Sequence, residues 1–321
     1  MNAEFEIGRW ILSHRAEHDL SQSGMIGEVD LSDHFRSCGL SEEWELRELI
    51  AEISGEEPER VVVTHGATEA MNYALAALRR LGISEFAHTI PEYELIFKAP
   101  ALYGMKRGEG GAFIASNPNN PTGTLVDPPE GFRYCVIDET FMQFVMDLDE
   151  VRYGCDAFRI NTMTKFYGGD EIRVGWVIAP DRSTARMMED MRGILFDPVS
   201  RHSMCIAGRV LQNNEKIKAA VREKQRRRLS ALLSSMGELK FYMNRTPLPG
   251  TVAFVDYSSY TNLDDLQVAE WAYSRKSVSV VPGRLFGAKG PYFRITYTRP
   301  GFEDSLRLLI EALEELRSRP L

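Results

Sequence analysis

The chain has 321 residues, of which 44% are hydrophobic and 26% charged, and its formal net charge at pH 7 is −8. These values are typical of a globular protein with a sizeable buried core, and the negative charge argues against nucleic acid as a partner. No run of about 18 apolar residues occurs, so we expect no transmembrane helix and no association with a membrane.

The cysteines and the N-terminus indicate the compartment. Cys38, Cys135, Cys155 and Cys205 are far apart, without a CxxC pair or a histidine at metal-ligand spacing. They predict reduced, mostly buried thiols and no metal site. The first residues lack the apolar region of a signal peptide, so we expect a cytoplasmic protein.

Between about residues 46 and 180, apolar runs that end in turn residues alternate with helical patterns. The predicted helices are 46–53 and 69–81, and the predicted strands are 61–64, 112–115, 134–137, 158–163 and 174–179. Because these runs are apolar on both faces and separated by helices, they predict an α/β fold with a mainly parallel sheet.

The rest of the chain predicts a smaller α+β unit. A long helix at 205–235 leads to elements at 252–256, 264–274, 278–281, 293–297 and 303–316, which alternate as strand, helix, strand, strand and helix. We predict that the first forty residues join this unit. The expected large domain is 41–211, and the small domain combines 1–40 with 212–321.

Two loops at strand ends suggest a phosphate or another polar ligand. Thr64-His-Gly-Ala-Thr-Glu-Ala70 opens a helix, whose backbone N–H groups can bind a phosphate, although a plain capped turn fits equally well. Ser116-Asn-Pro-Asn-Asn-Pro-Thr-Gly123 is stiffened by two prolines and holds the Asn120 amide rigidly. A purely structural turn remains an alternative for this loop as well.

Two charged side chains also follow predicted strands. Asp138 is either a helix cap or ion-pair member, or a partner for a protonated ring nitrogen. Lys165 stands near Thr162, Thr164 and Arg173. These three could converge on a phosphate and lower the pKa of the lysine amine, which would make it nucleophilic. Together these groups describe a pyridoxal-phosphate pocket.

At this point the sequence resembles the class I/II aminotransferases, the pyridoxal-phosphate enzymes that include aspartate and histidinol-phosphate aminotransferases. The resemblance covers most of the chain. It rests on GLSEEWELRELIAEISGEEPERVVVTHGATEA, SNPNNPTG, VIDETF, TMTKFYGGDEIRVG and VVPGRLFGAKGPYFRIT. The order and spacing of these blocks are specific jointly, and they imply the aspartate aminotransferase-like fold.

The resemblance implies a role for each matching residue. Lys165 would form a Schiff base with pyridoxal 5'-phosphate and move the substrate proton, and Asp138 would keep the pyridine nitrogen protonated. Asn120 would donate to the phenolic oxygen, Tyr93 would stack on the ring, and Arg294 would bind the substrate carboxylate. The residues implied for the phosphate are Ala67, Thr68, Thr162, Thr164 and Arg173.

Several positions depart from the family pattern. Phe141 replaces a tyrosine whose hydroxyl helps Asn120, so the cofactor imine should hold its proton to higher pH. Thr140 stands where a small apolar residue commonly lies under the ring. The tyrosine that reaches the partner subunit's phosphate is missing near Phe35 and Trp44. The segment 19–24 also differs from the asparagine-rich entry segment that contacts substrate in relatives.

The resemblance favours a homodimeric transaminase that moves an amino group from an L-amino acid to a 2-oxo acid in a ping-pong cycle. A decarboxylase or β-lyase of the same fold is the alternative enzyme. A catalytically silent binding protein is disfavoured because Lys165, Asp138 and Asn120 are all present. Residues 283–290 do not match a nucleotide-binding P-loop, which needs Gly-Lys followed by Ser or Thr, because Lys289 follows alanine and precedes glycine.

Overall fold

The computed structural model describes residues 6–14, 16–21, 23–24, 28–29, 43–195, 198–247 and 249–318. Its helices are α1 (Glu6–Ser13), α2 (Glu43–Ser54), α3 (Ala67–Arg80), α4 (Glu94–Leu102), α5 (Arg182–Leu195), α6 (Arg201–Gln212), α7 (Asn214–Ser234), α8 (Asp265–Lys276) and α9 (Phe302–Arg317). None of the helices within these ranges combines the length and apolar character needed to cross a bilayer.

Thirteen strands occur in the described ranges. They are β1 (His18–Asp19), β2 (Val61–Thr64), β3 (Glu85–Ala87), β4 (Lys106–Arg107), β5 (Ala112–Ser116), β6 (Tyr134–Asp138), β7 (Asp156–Thr162), β8 (Gly175–Ile178), β9 (Lys240–Phe241), β10 (Val252–Asp256), β11 (Val278–Ser279), β12 (Val281–Pro282) and β13 (Tyr292–Thr296).

The main sheet has seven strands in the order β2-β8-β7-β6-β5-β3-β4. The five strands from β7 to β4 are parallel, whereas β8 is antiparallel to both of its neighbours. The predicted α/β class with a mainly parallel sheet is therefore confirmed. Because the parallel strands run in one direction, their carboxyl ends lie along one edge.

Helices cover both faces of this sheet, which explains the continuous apolar runs. In β2, Val61 and Val63 enter a core shared with α2 and α6, while Val62 enters the opposite core with α3. Alternation of side chains along a strand sends neighbouring valines to opposite faces. A strand buried on both faces therefore needs apolar residues at every position.

A second, smaller sheet has the antiparallel order β12-β13-β10-β9 and packs against α8 and α9. The short strand β1 pairs with β11, and the Trp10 indole donates to the Val280 carbonyl at 2.9 Å. The described N-terminal residues thus contact the smaller unit. The division into 41–211 and the remainder stays a prediction.

Two predicted elements differ from the structure. The single helix at 205–235 is wrong, because α6 and α7 are separated at Asn213. The Asn213 side chain donates to the Arg209 carbonyl at 2.9 Å, and this type of local hydrogen bond competes with helix propagation. The predicted strand 278–281 is also wrong as one element, since β11 and β12 belong to different sheets.

The prediction of reduced thiols is wrong for Cys135, Cys155 and Cys205, which are all disulfide-bonded. Cys135 and Cys155 form a disulfide, with their Cα atoms 6.2 Å apart. The register between β6 and β7 pairs Tyr134 with Asp156, and Cys155 directly precedes β7, which brings it close to Cys135 on β6. No free cysteine occurs in the part of the chain that the structure describes. Cys38 lies outside the described residues.

Candidate active site

The parallel strands bring the predicted lysine and aspartate to the same edge of the sheet. Asp138 is the last residue of β6, and Thr162 is the last residue of the neighbouring strand β7. Lys165 follows three residues later. A carboxylate and an amine that are 27 positions apart in the sequence are thereby placed at the position where such sheets bind ligands.

Lys165 lies in an environment that disfavours its charged form. Its amine donates to the Ser23 carbonyl at 3.3 Å, and its side chain is partly buried. Burial lowers the pKa of Lys165 to about 8, and the positive charge of Arg294 acts in the same direction. The carboxylates of Asp170 and Asp138 oppose this shift. The amine is therefore more readily deprotonated, and more nucleophilic, than an ordinary lysine.

Asp138 is held by its neighbour Thr140. The Thr140 hydroxyl and the Thr140 backbone N–H both donate to the Asp138 Oδ1 atom, the latter at 3.0 Å. Burial raises the pKa of Asp138, and the Thr140 hydrogen bonds and the charge of Lys165 oppose the rise. Oδ2 accepts no hydrogen bond from any residue in the described ranges, so it can accept one from a ligand.

The turn at residues 64–68, which we call the cradle turn, leads from β2 into α3. Gly66 caps this helix with a φ of 90°, a conformation that favours glycine, and Ala67 begins the helix. A Cβ atom on Gly175 would lie only 2.5 Å from the Gly66 carbonyl carbon. The turn therefore packs directly on β8, and its helix N-terminus is available to an anion.

The predicted phosphate residues converge on the cradle turn. A Cβ on Gly66 would lie 3.3 Å from Arg173 Nη2 and 3.9 Å from Thr162 Oγ1. The hydroxyls of Thr162 and Thr164 are 3.1 Å apart, and the exposed Thr68 stands on the first turn of α3. A guanidinium, hydroxyl groups and a helix N-terminus together form a suitable phosphate site.

Arg294 projects from β13 of the smaller sheet, and it is buried with an exposed fraction of 2%. Its Nη1 atom donates to Asn120 Oδ1 at 3.0 Å, and Nη2 donates to the Ser21 carbonyl. Burial lowers the pKa of Arg294 to about 10, while Tyr93 and Asp19 oppose this.

One donor of this guanidinium has no acceptor. Arg294 Nε is buried and lacks a hydrogen-bond partner among the described residues. A buried donor on a cationic group without a partner is rare and costly in free energy. The Nε atom of Arg294 is therefore suited to an anionic group that a ligand supplies.

Asn120 and Tyr93 lie near the same site. The Asn120 backbone N–H donates to Ser116 Oγ at 2.8 Å, and its side-chain oxygen accepts from Arg294. This network leaves the Asn120 amide N–H₂ to donate to a ligand. Tyr93 comes directly before α4, and burial, followed by the charges of Asp138 and Glu94, raises the pKa of its hydroxyl.

The structure shows the surroundings of the residues that depart from the family pattern. Phe141 is buried in the hydrophobic core next to Met142, so an apolar side chain suits its position. Thr140, in contrast, faces Asp138. The Trp44 indole donates to Glu48 on its own helix at 2.7 Å. Phe35 lies outside the described residues.

Sequence reasoning missed several contributors to the site. Ser21 and Ser23 act through backbone carbonyls, which any residue type supplies, so their identity carries no signal. Gly24 has a φ of 115°, and a Cβ there would lie 3.2 Å from Lys165 Cδ. The glycine allows this close approach, and a glycine that follows polar residues was the only available clue.

The donor set fits pyridoxal phosphate. The cradle turn with Thr162, Thr164 and Arg173 offers donors to a phosphate, and the Lys165 amine can condense with an aldehyde. Asp138 Oδ2 can pair with a ring N–H, and the Asn120 amide can donate to a phenolic oxygen. Every polar group of this cofactor has a complementary group at the same edge of the sheet.

Comparisons with known proteins identify the family of the chain. Residues 101–313 match the family model "Aminotransferase class I and II". A probable aspartate/prephenate aminotransferase of Aquifex aeolicus is 25% identical over 232 residues, which cover 64% of this chain and 58% of that protein. Capreomycidine synthase of Streptomyces vinaceus is 27% identical over 222 residues, covering 62% of this chain and 55% of that one.

Among solved structures, a pyridoxal-phosphate-dependent aminotransferase from Streptococcus suis has a TM-score of 0.80 at 17% identity, and 98% of each chain is covered. At this identity the likeness shows the aspartate aminotransferase-like fold. The chain spans less than two thirds of the length of the two curated relatives described above.

The chain belongs to the class I and II aminotransferase family, because the family model covers about two thirds of it. Pyridoxal phosphate is the cofactor of the family, and the residues described above fit it.

Proposed function

We propose that the chain is a pyridoxal-phosphate-dependent aminotransferase that moves an amino group from an L-amino acid to a 2-oxo acid by a ping-pong mechanism. The strongest support is that three functional side chains lie in one site. The Lys165 amine, whose pKa is lowered to about 8, shares a site with Asp138 and with the partly unpaired guanidinium of Arg294. These groups match an amine acceptor, a ring-nitrogen partner and a carboxylate anchor.

Lys165 has two tasks in this proposal. It would hold the cofactor covalently, and its amine would accept the proton from the substrate Cα. When bound, pyridoxal phosphate withdraws electrons from Cα and thereby acidifies that proton. A lysine with a pKa near 8 is neutral in a useful fraction of molecules near neutral pH, as a general base must be.

Asp138 holds a proton on the ring nitrogen by accepting a hydrogen bond at Oδ2, while Thr140 fixes its other oxygen. Asn120 would donate its amide N–H to the phenolic oxygen, and Tyr93 would pack on the ring face. The cradle turn with Thr68, Thr162, Thr164 and Arg173 binds the phosphate. Orientation of the ring by these groups keeps one Cα bond aligned for cleavage.

Arg294 binds the α-carboxylate of the amino donor and, in the second half-reaction, that of the 2-oxo acid. Its buried guanidinium offers Nε, and Asn120 and Ser21 fix its orientation. Charge-assisted hydrogen bonds in a buried site are stronger than neutral ones. We propose that the same arginine serves both substrates, as a ping-pong cycle with one site requires.

A second reaction class uses the same residues. The relative named capreomycidine synthase is 27% identical, so the family includes a member that is not named an aminotransferase. A decarboxylase or β-lyase would hold a different bond perpendicular to the ring. The products distinguish the classes: carbon dioxide or ammonia marks bond cleavage without amino transfer.

The decisive assay uses a panel of L-amino acids on the cofactor-loaded protein, without any oxo acid. An amino donor should convert the lysine-bound cofactor absorbance to that of the aminated cofactor and release one 2-oxo acid per site. Addition of a second 2-oxo acid should restore the spectrum. Release of carbon dioxide or ammonia without this conversion would contradict aminotransfer.

Oligomeric state and location belong to the same proposal. We propose a homodimer in the cytoplasm, with a large domain at 41–211 and a small domain formed by 1–40 and 212–321. Sedimentation of the cofactor-loaded protein should give twice the 36.4 kDa mass of one chain. A mass of one chain at micromolar concentration would exclude a stable dimer.

A further inference from the structure

Glu92, one residue before Tyr93, has no exposed surface, and no ion pair involves it among the described residues. Five donors point at its carboxylate instead. Oε1 accepts from the Tyr93 backbone N–H at 2.8 Å and from the Ser116 hydroxyl. Oε2 accepts from the Thr89 hydroxyl at 2.8 Å, the Ser116 N–H at 3.1 Å and the Asn119 amide at 3.2 Å.

These hydrogen bonds join two separate loops. One loop, at 89–93, carries Tyr93. The other, at 116–123, carries Asn120, whose backbone N–H donates to the same Ser116 hydroxyl that donates to Glu92. A chain of two hydrogen bonds therefore runs from the Glu92 carboxylate to Asn120, and a single hydrogen bond connects Glu92 to Tyr93.

Glu92 also lies near Arg294, the residue proposed to bind the substrate carboxylate, through Phe286. The Glu92 N–H donates to the Phe286 carbonyl at 3.0 Å, and the guanidinium carbon of Arg294 lies 5.3 Å from the centre of the Phe286 ring. Glu92 is thus bonded directly to the Tyr93 backbone, connected to Asn120 through Ser116, and bonded to Phe286, whose ring lies next to the Arg294 guanidinium.

We propose that Glu92 is a positioning residue that, as a carboxylate, fixes the position of the Tyr93 loop relative to the Asn120 loop, the two loops assigned to the cofactor ring. The inference rests on the proposed function. It concerns a group that acts through the Ser116 hydroxyl and the Tyr93 backbone.

The five donors match a carboxylate better than they match the amide of a glutamine. An ionised carboxyl accepts at about four positions and donates at none, so it can satisfy several converging donors. Burial raises the pKa of Glu92 to about 7, and the hydrogen bonds from Ser116, Tyr93 and Thr89 oppose this. A glutamine would present an N–H₂ group to at least one of these donors and leave it without an acceptor.

The test compares Glu92→Gln with Glu94→Gln. Glu94 is a matched control, because it is equally buried and two residues away, yet it accepts from the Ile7 N–H and Lys98 rather than from the cofactor loops. Two quantities are measured on folded protein. One is hydrogen exchange of segments 89–93 and 116–120 without cofactor, and the other is the dissociation constant of pyridoxal phosphate.

We expect Glu92→Gln to accelerate exchange in both segments at least tenfold and to weaken pyridoxal-phosphate binding at least tenfold. It should also raise the pH midpoint of the absorbance of the lysine-bound cofactor, because Asn120 would donate less well to the phenolic oxygen. Glu94→Gln should change none of these, although both variants should lower the melting temperature.

A milder variant covers the case in which Glu92→Gln does not fold. Ser116→Ala keeps the carboxylate but removes the connection to Asn120, so it should raise the absorbance midpoint while leaving exchange at 89–93 unchanged. Wild-type affinity and midpoint in Glu92→Gln, or in Ser116→Ala if the former is insoluble, would overturn the positioning role. Wild-type protein that binds no pyridoxal phosphate would instead overturn the proposed function.

Discussion

The lowered pKa of Lys165 predicts an amine that is more reactive at neutral pH than an ordinary lysine. With a pKa of about 8, roughly a quarter of the Lys165 amines are neutral at pH 7.5, against about 0.1% for an unperturbed lysine. Because its neutral fraction is about two hundred times larger, the amine of cofactor-free protein should react with a neutral acylating reagent faster than an unperturbed lysine at that pH. Its reactivity should level off above pH 8 to 9.

The assay is pulse acylation across a pH series, with the modification at each lysine quantified by mass spectrometry. The exposed Lys106 in β4 serves as an internal reference. Burial is the main cause of the Lys165 shift and the Arg294 charge is the next, so Arg294→Gln should raise the midpoint. Asp138→Asn should lower it, because that carboxylate opposes the shift. A Lys165 midpoint equal to that of Lys106 would refute the reasoning.

Three further predictions concern the neighbouring groups. Arg294→Ala should raise KM for the amino donor by about 10- to 100-fold, since charge-assisted hydrogen bonds contribute about 1.5–3 kcal/mol; steady-state kinetics with an unchanged KM would reassign this arginine. Thr140→Val removes a hydrogen bond to Asp138, so it should raise the pKa of Asp138 further. A titration with pyridoxal phosphate should show about fivefold weaker binding, the effect of one hydrogen bond of about 1 kcal/mol. Thr140→Ser keeps the hydroxyl and should bind the cofactor normally. Gly175→Ala should displace the cradle turn and reduce the affinity for the cofactor. Gly154→Ala is the control, because the added methyl group would lie in open space. If both variants bound the cofactor with equal affinity, the packing of the cradle turn on Gly175 would not matter for binding.

The order of the main elements could be predicted because their signals are local. Val61–Thr64 and the runs that became β5, β6 and β8 are apolar at nearly every position, as strands covered on both faces must be, whereas β7 also buries Arg159 and Asn161. The helix predicted at 69–81 is α3, displaced by one or two residues. Its N-terminal turn lacks apolar periodicity, so the pattern begins late.

Other elements escaped prediction for identifiable reasons. Helix α4 contains Pro100 and has no polar stripe, and β3 has only three residues. Helix α5 did carry a usable signal, because Asp181 accepts from the Thr184 N–H at 2.8 Å as a capping residue does. The Cys135–Cys155 pair depends on the register of two strands, which the cysteine spacing does not specify.

Some residues of the candidate site could be predicted from the sequence and others could not. Asp138, Thr162 and Lys165 were predictable because each ends or closely follows a strand, where α/β sheets bind ligands. Arg294 came from the family resemblance, since a lone arginine on a strand carries little signal. The carbonyls of Ser21 and Ser23 and the carboxylate of Glu92 depend on contacts over long sequence separations, and no local pattern indicates them.

Reduction of the cofactor-loaded protein with borohydride, followed by peptide mass spectrometry, tests the central claim most directly. The reduction makes the lysine–cofactor bond permanent, so the modified residue can be identified. We expect one pyridoxyl-phosphate group per chain, attached to Lys165, and no attachment in Lys165→Ala. Attachment to a different lysine, or full occupancy by cofactor without any modified lysine, would contradict it.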